Sequence, residues 1–214
     1  MKEVYYDKEY FEFQKRIGAF GGIANLFKFE KYISSNDDVM DFGCGGGFLL
    51  KNIKTNGRKV GVEINEAARE TAKTNGISEL YPEIKFVPDD YVDIIISNHA
   101  LEHVDNPVYI LKEMKRICRR NGKIILVVPH EVNSKVKEND INMHLYTWSP
   151  QNLRNLFVFC GYNVLKSEHI DTAWMPNYLR IQQLLGWRCF HILCRLYSKR
   201  KNIHQTIVVA QNSD

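Results

Sequence analysis

The sequence predicts an α/β protein, an open parallel sheet with helices on both faces, and three observations carry that prediction. Strand-like and helix-like segments alternate along residues 37–129. The first strand enters its helix through the glycine-rich turn GCGGG at 43–47. The apolar runs YVDIIISN (91–98) and KIILVVP (123–129) are continuous rather than alternating, as in strands buried on both faces.

In chain order, YYDKEYFEFQKRIGAFGG (5–22) reads as an aromatic helix ahead of the sheet. DDVMDFG (37–43) is the first strand, and GFLLKNIKTNG (47–57) a helix with apolar Phe48, Leu49, Leu50 and Ile53, stopped at Asn56-Gly57. RKVGVEIN (58–65) is the second strand, followed by the helix EAARETAKTNG (66–76), closed by Asn75-Gly76. Between Ile77 and Asp90 a strand is expected in EIKFV (83–87), hemmed in by Pro82 and Pro88. NPVYILKEMKRICRRNG (106–122) is an amphipathic helix, started by Asn106-Pro107 and closed by Asn121-Gly122. After a polar loop (130–143), TWSPQNLRNLFVFCG (147–161) offers Ser149 as N-cap and Pro150 as the first helical residue. YNVLKSEHI (162–170) and HQTIVVAQ (204–211) are two closing strands, separated by a largely helical insert, 174–201, that is longer than an ordinary connection. A single domain over 1–214 is expected, with an N-terminal helical segment at 1–34.

A chain of 214 residues, 44% hydrophobic and 25% charged, is long enough for one substantial core. The start MKEVYYDKEYFEF lacks the apolar stretch of a signal peptide, and no run of about 20 apolar residues suggests a spanning helix. Five cysteines, at 44, 118, 160, 189 and 194, form no CxxC pair and are odd in number, which argues against a disulfide framework or zinc ribbon. A reducing cytoplasm is the expected location. The net charge of +4 gathers in the tail: from Thr172 to Ser213 there is no Asp or Glu, against Arg180, Arg188, Arg195, Lys199, Arg200 and Lys201. That is too little for a nucleic-acid partner, but it favours an anionic substrate or membrane surface.

The motif richest in chemistry is VMDFGCGGGFLL, in which Asp41, Gly43, Gly45 and Gly47 spell DxGxGxG at a strand-to-helix turn. Glycines there let the backbone bend sharply and approach a ligand. A dinucleotide fingerprint would need glycine where Phe48 stands, and no GxxxxGK[ST] phosphate loop is present. Asp41, at the end of the first strand, would repel a pyrophosphate but suits an ammonium or sulfonium group. Glu63 ends the second strand 20 residues past Gly43, where an acidic residue can accept hydrogen bonds from both ribose hydroxyls. The implied ligand is a nucleoside with free 2′ and 3′ hydroxyls and a positive centre.

These residues resemble the class I S-adenosylmethionine-dependent methyltransferases. The resemblance runs on through PDDYVDIIISNHALEHV, LKEMKRICRRNGKIILVVP and HLYTWSPQNLRNLFVFCGYNV, over roughly residues 35–170, and is strongest to the small-molecule subgroup that includes quinone-ring and sugar methyltransferases. It implies a Rossmann-like, doubly wound, seven-stranded and mostly parallel sheet with an antiparallel last strand, the helical insert lying before that strand. It also implies S-adenosylmethionine as cofactor, held by the turn from Asp41 through Gly43, Cys44, Gly45 and Gly47, by Glu63 with Ile64, and by Asn98 and His99 beside the methionine moiety. The N-terminal segment would cover the cofactor, with Arg16 reaching its carboxylate. Glu83, in YPEIKFVPDD, is an approximate match to the family's adenine-binding acid.

Methyl transfer to a hydroxyl needs alignment and a proton acceptor, and His99, His103 and His144 are the candidate bases. The aromatics of HLYTW (144–148) are candidates to wall the acceptor pocket. His99, Glu102 and His103 also spell HxxEH, a zinc-peptidase pattern, but that reading requires a further ligand and leaves the glycine turn unexplained. No metal is assigned. A divalent ion on Glu and His residues, as in related quinone-pathway O-methyltransferases, is the alternative to Glu102 and His103 orienting the loop by hydrogen bonds. The expected function is methyl transfer to a small-molecule acceptor, most naturally a hydroxyl. The rival is a non-catalytic module that binds S-adenosylmethionine or a nucleoside. The basic amphipathic insert, 176–201, is a lid, a packing element or a peripheral membrane contact.

Overall fold

The computed structural model describes residues 17–131, 138, 140 and 142–213. Its centre is a seven-stranded sheet in the order β3-β2-β1-β4-β5-β7-β6. The strands are β1 (Val39–Phe42), β2 (Lys59–Val62), β3 (Glu79–Tyr81), β4 (Val92–Asn98), β5 (Cys118–His130), β6 (Asn163–Ile170) and β7 (His204–Gln211). β1 pairs in parallel with β2 and β4, as do β2 with β3 and β4 with β5, while β7 runs antiparallel to both β5 and β6. The doubly wound sheet with an antiparallel last strand is therefore as expected.

The helices are α1 (17–24 within the described residues), α2 (Phe48–Asn52), α3 (Glu66–Thr74), α4 (Pro107–Ile117), α5 (Pro150–Phe159) and α6 (Tyr178–Lys201). They cover both faces. On one, Leu111, Met114 and Ile117 of α4 and Leu153 and Phe157 of α5 pack on Met40, Ile95 and Ile124. On the other, Leu49 and Leu50 of α2 and Ala72 of α3 pack on Val39, Ile94, Ile96 and Ile125. The central strands meet apolar side chains from both sides, which is why their sequences are continuous apolar runs.

α5 begins as its capping residues predict: the Asn152 N–H donates to Ser149 Oγ at 3.1 Å, and Pro150 occupies the first turn, where its missing N–H costs nothing. Ser149→Ala should lower the unfolding free energy by about 1 kcal/mol, read as a lower urea midpoint with an unchanged slope.

Three elements depart from the sequence expectation. The strand expected in EIKFV lies earlier, at Glu79–Tyr81; Pro82 cannot donate to the ladder, and 84–86 form a 3-10 turn that buries Ile84. α2 stops at Asn52 rather than at Asn56-Gly57, because the loop after it is pulled back onto the chain before β1. The Thr55 hydroxyl donates to Asp37 O at 2.6 Å, and the Asn56 N–H to Ser35 O at 2.7 Å. α4 ends at Ile117 rather than at Asn121-Gly122: Cys118 already pairs with Val92, and Arg119 reaches Asp93 at 2.8 Å and Asp38 at 2.9 Å. Asp38 also takes Arg58 at 2.8 Å, and these guanidinium groups hold its carboxyl down at about 2. A network of opposite charges thus outbids helix propensity over residues 118–122.

α6 is broken at Gly186, whose φ of 72° and ψ of 173° are non-helical. Its inner side buries Phe190 and Cys194 against Ala24 of α1, joined by Phe20, Trp174 and Trp187. All five cysteines are free thiols. No helix among the described residues is long and apolar enough to cross a membrane.

Candidate active site

The strand order reverses between β1 and β4, and a crevice opens there at the carboxyl ends of the strands. It is a cavity of about 880 Å³. The glycine turn forms its floor. Gly45 has φ 51°, and a Cβ added there would touch nothing within 4 Å, so the turn leaves open room above its backbone. Gly47 serves packing instead: at φ 71°, its Cβ would stand 2.9 Å from Ile77 Cγ1 and 3.1 Å from Ala72 Cβ.

Two carboxylates converge on the floor. Glu63, just past β2, accepts the Gly45 N–H on Oε2 at 2.9 Å and the Asn65 N–H on Oε1 at 2.8 Å. Each oxygen keeps acceptor capacity for a ligand. Burial raises the Glu63 pKa, opposed by those two backbone donors. Asp41, on β1, is only 3% exposed, and its carboxylate accepts no hydrogen bond among the described residues. Burial first, and then the neighbouring Glu63 charge, push its pKa well above the usual carboxylate range. Such a group gains most from a cation brought beside it. Cys44, within the turn, is buried, and its thiol is pushed up by burial and by the same two acids, which makes it inert. Ile64, 59% exposed as a residue, lies at the cavity edge, and Glu83 lines the same side while pairing with Lys85 at 2.8 Å.

On the side of β4 and β7, Lys28 was not singled out by the sequence. It is 3% exposed, and its Nζ donates to Asn98 Oδ1 at 2.9 Å and to Gln205 Oε1 at 2.8 Å. Burial depresses its pKa to about 7, against the pull of Glu102. A lone lysine within NLFKFEKY carries no motif, so only the fold brings it to the cavity wall.

The three candidate histidines lie together. His99, His103 and His144 all line the cavity. His99 follows β4 with φ 59°, its N–H donating to Val127 O at 2.8 Å, and its Nδ1 lies 3.3 Å from Glu102 Oε1. Backbone strain of this kind, in a non-glycine residue, tends to mark functional turns. Glu102 is fully buried, and neither carboxylate oxygen makes a hydrogen bond among the described residues. Its main-chain carbonyl accepts the Leu145 N–H at 2.8 Å, which ties in the loop bearing His144. His103 and His144 rings meet edge-on at 4.9 Å, and burial lowers the His103 pKa. One ligating atom each from Glu102, His103 and His144 fall within 4.8 Å of one another.

The HLYTW aromatics do not wall the pocket. Tyr146 and Trp148 stack on each other at 5.3 Å away from the cavity lining, and Trp148 is drawn into the core beneath α5. Trp174, from the insert, lines the cavity instead, packed against Gly21 of α1, where a Cβ would stand 3.1 Å from its ring; Gly18 and Gly22 also line the cavity. Arg16 lies outside the described residues.

A crevice at the carboxyl ends of the strands, beside the switch in strand order, is where open α/β sheets take their ligands. A family model described as a methyltransferase domain matches residues 14–167, and the chain belongs to that family, the class I S-adenosylmethionine-dependent methyltransferases. It is 29% identical over 161 residues to the mitochondrial ubiquinone biosynthesis O-methyltransferase of Saccharomyces cerevisiae, a match covering 70% of this chain and 46% of that one. The chain thus spans about half the length of this curated relative. Among solved structures it is similar to an S-adenosylmethionine-dependent methyltransferase of Thermotoga maritima, described as a possible histamine N-methyltransferase (TM-score 0.67, 17% identity, 95% of each chain). It is also similar to the [4+2]-cyclase SpnF (TM-score 0.60, 14% identity, 88% of this chain and 80% of that one). One fold thus carries more than one chemistry, and function must be argued from the site.

Proposed function

We propose that the protein transfers a methyl group from S-adenosylmethionine to a hydroxyl of a small-molecule acceptor. The observation that carries this reading is the pair Asp41 and Glu63: a buried and a half-buried acid at the tips of adjacent strands, the first accepting no hydrogen bond among the described residues, over a glycine turn that leaves room for a ligand. That donor set fits an adenosyl sulfonium amino acid and repels phosphates. S-adenosylmethionine, when bound, supplies an electrophilic methyl group on its sulfonium.

The chain's own residues then have separable tasks. Glu63 accepts the ribose hydroxyls, with Ile64 beside it and Gly43, Cys44, Gly45 and Gly47 giving the ligand a close backbone. Asp41 faces the positive end. Lys28, fixed by Asn98 and Gln205, presents a cation to the methionine carboxylate, the task the sequence had given to Arg16. His99 takes the acceptor proton, with Glu102 behind Nδ1 to hold the ring and stabilise the imidazolium. His103 and His144 close the pocket behind them. The name of the yeast relative supports a hydroxyl acceptor.

Lys28 gives a signed pH prediction. With a free pKa near 7, it is increasingly neutral above that pH and must take up a proton when a carboxylate binds. Affinity for S-adenosylhomocysteine should therefore fall as pH rises above 7. Lys28→Met should weaken binding at pH 6.5 by about tenfold and flatten this dependence, as followed by calorimetry.

The function is tested by incubating the protein with S-adenosylmethionine and a panel of phenolic, sugar and amine acceptors, and measuring S-adenosylhomocysteine release. Release that requires a hydroxyl acceptor supports the reading. Tight cofactor binding with no release across the panel favours the non-catalytic module. A second reading, a divalent ion on Glu102, His103 and His144, is favoured by the buried Glu102 carboxylate, whose oxygens make no hydrogen bond among the described residues. Turnover that survives exhaustive chelation would remove it.

A further inference from the structure

We propose that α6 is a docking surface for an anionic phospholipid bilayer, on which the protein lies peripherally. The outward side of this helix is strongly apolar for a surface helix: Leu184 is 73% exposed, Leu196 59%, Ile192 54% and Leu185 52%. Beyond the Gly186 break, Cys189, Ile192 and Leu196 recur at helical spacing on one stripe, all exposed, and Leu184 and Leu185 are exposed just before it. The opposite side, Phe190, Cys194 and Ser198, is buried against the body of the protein. The stripe is thus left over after the fold has used what it needs.

Charge selects the occupant. Arg188 and Arg195 border the stripe, Arg180 precedes the break, and Arg200 and Lys201 close the helix; none of these five pairs with a carboxylate among the described residues. Lys199, one turn below Arg195, reaches Asp171 at 3.8 Å. From Thr172 to Ser213 the chain has no acid, so a second copy packed helix to helix would set arginine against arginine. An anionic leaflet instead accepts both halves of the surface, the leucines in the acyl boundary and the guanidinium groups among the headgroups. The length and charge of α6 suit lying along a bilayer rather than crossing it.

The same helix is linked to the cavity. Trp187 stacks near Phe20 at 5.1 Å, and Phe20 meets the cavity residue Trp174 edge-on at 5.0 Å. Docking through α6 would therefore bring the cavity wall to the headgroup layer. The proposal does not depend on methyl transfer, since it concerns residues outside the cavity.

The test is co-sedimentation of the full chain with mixed phosphatidylglycerol and phosphatidylcholine vesicles, against pure phosphatidylcholine vesicles. Binding is expected only to the anionic vesicles, weakening as salt rises. Arg188→Glu with Arg195→Glu should lower the partition coefficient by about tenfold or more, and Leu184→Glu with Ile192→Glu by a similar factor. Thermal melting and S-adenosylhomocysteine calorimetry on each variant separate loss of docking from loss of fold or of the cofactor site. Should a glutamate variant misfold, Arg188→Gln with Arg195→Gln replaces it. Equal binding to neutral vesicles, no binding at all, or binding indifferent to these substitutions overturns the proposal. So does a concentration-dependent dimer in sedimentation velocity that Ile192→Glu dissolves, which would make a second copy the occupant.

Discussion

Glu63→Ala is expected to weaken S-adenosylhomocysteine binding by about a hundredfold or more. Two hydrogen bonds from ribose hydroxyls to an ionised carboxylate contribute about 1.5–3 kcal/mol each, and every 1.4 kcal/mol is about tenfold in affinity. A further loss arises inside the protein, because the same carboxylate accepts the Gly45 and Asn65 N–H groups and so sets the shape of the floor. Glu63→Gln retains one acceptor oxygen and the side-chain volume, and it should fall between the two. Calorimetry reads the affinities, and a melting curve shows whether the fold survived. Unchanged affinity in Glu63→Ala would remove the ribose assignment.

His99→Ala should lower kcat by about a hundredfold or more on a hydroxyl acceptor, the usual contribution of a positioned general base. Glu102→Gln should also slow turnover, because an uncharged partner no longer stabilises the imidazolium or fixes which ring nitrogen faces the acceptor. The 3.3 Å separation makes the two residues one unit, so the double variant should be little slower than His99→Ala alone. Multiplicative losses would show that they act independently. The measurement is steady-state release of S-adenosylhomocysteine, with cofactor affinity followed in parallel to separate the chemical step from binding.

Much of this was legible in the sequence because local rules agree with the global fold where the strands are central. IIIS and KIILVVP are buried on both sides and read as such; Ser149-Pro150 start a helix because capping is a local interaction. What was not legible is non-local. Arg119 abandons the helix for Asp38 and Asp93, which lie 81 and 26 residues earlier in the chain. β3 is only three residues long, and its position is fixed by pairing with Val60–Val62 rather than by any pattern of its own. At the site, the glycine turn and the acids announce themselves because each acid marks the end of its own strand: Asp41 lies beside the glycines in sequence, and Glu63 stands at the end of the next strand, 18 residues past the Gly45 it bonds. Lys28 cannot, because its partners Asn98 and Gln205 lie 70 and 177 residues away. The misplaced aromatics follow the same logic: Tyr146 and Trp148 are close in sequence to His144, but Trp148 is claimed by the core, and the indole at the cavity comes from the insert.

All of the functional reading depends on two desolvated acids preferring a positive nucleoside to a phosphorylated one. The direct measurement is calorimetric titration of the purified protein with S-adenosylmethionine, S-adenosylhomocysteine, ATP and NAD under one buffer. Saturable one-to-one binding of the first two, with no heat from ATP or NAD, is the predicted result. Binding of ATP or NAD in competition with S-adenosylhomocysteine would contradict it.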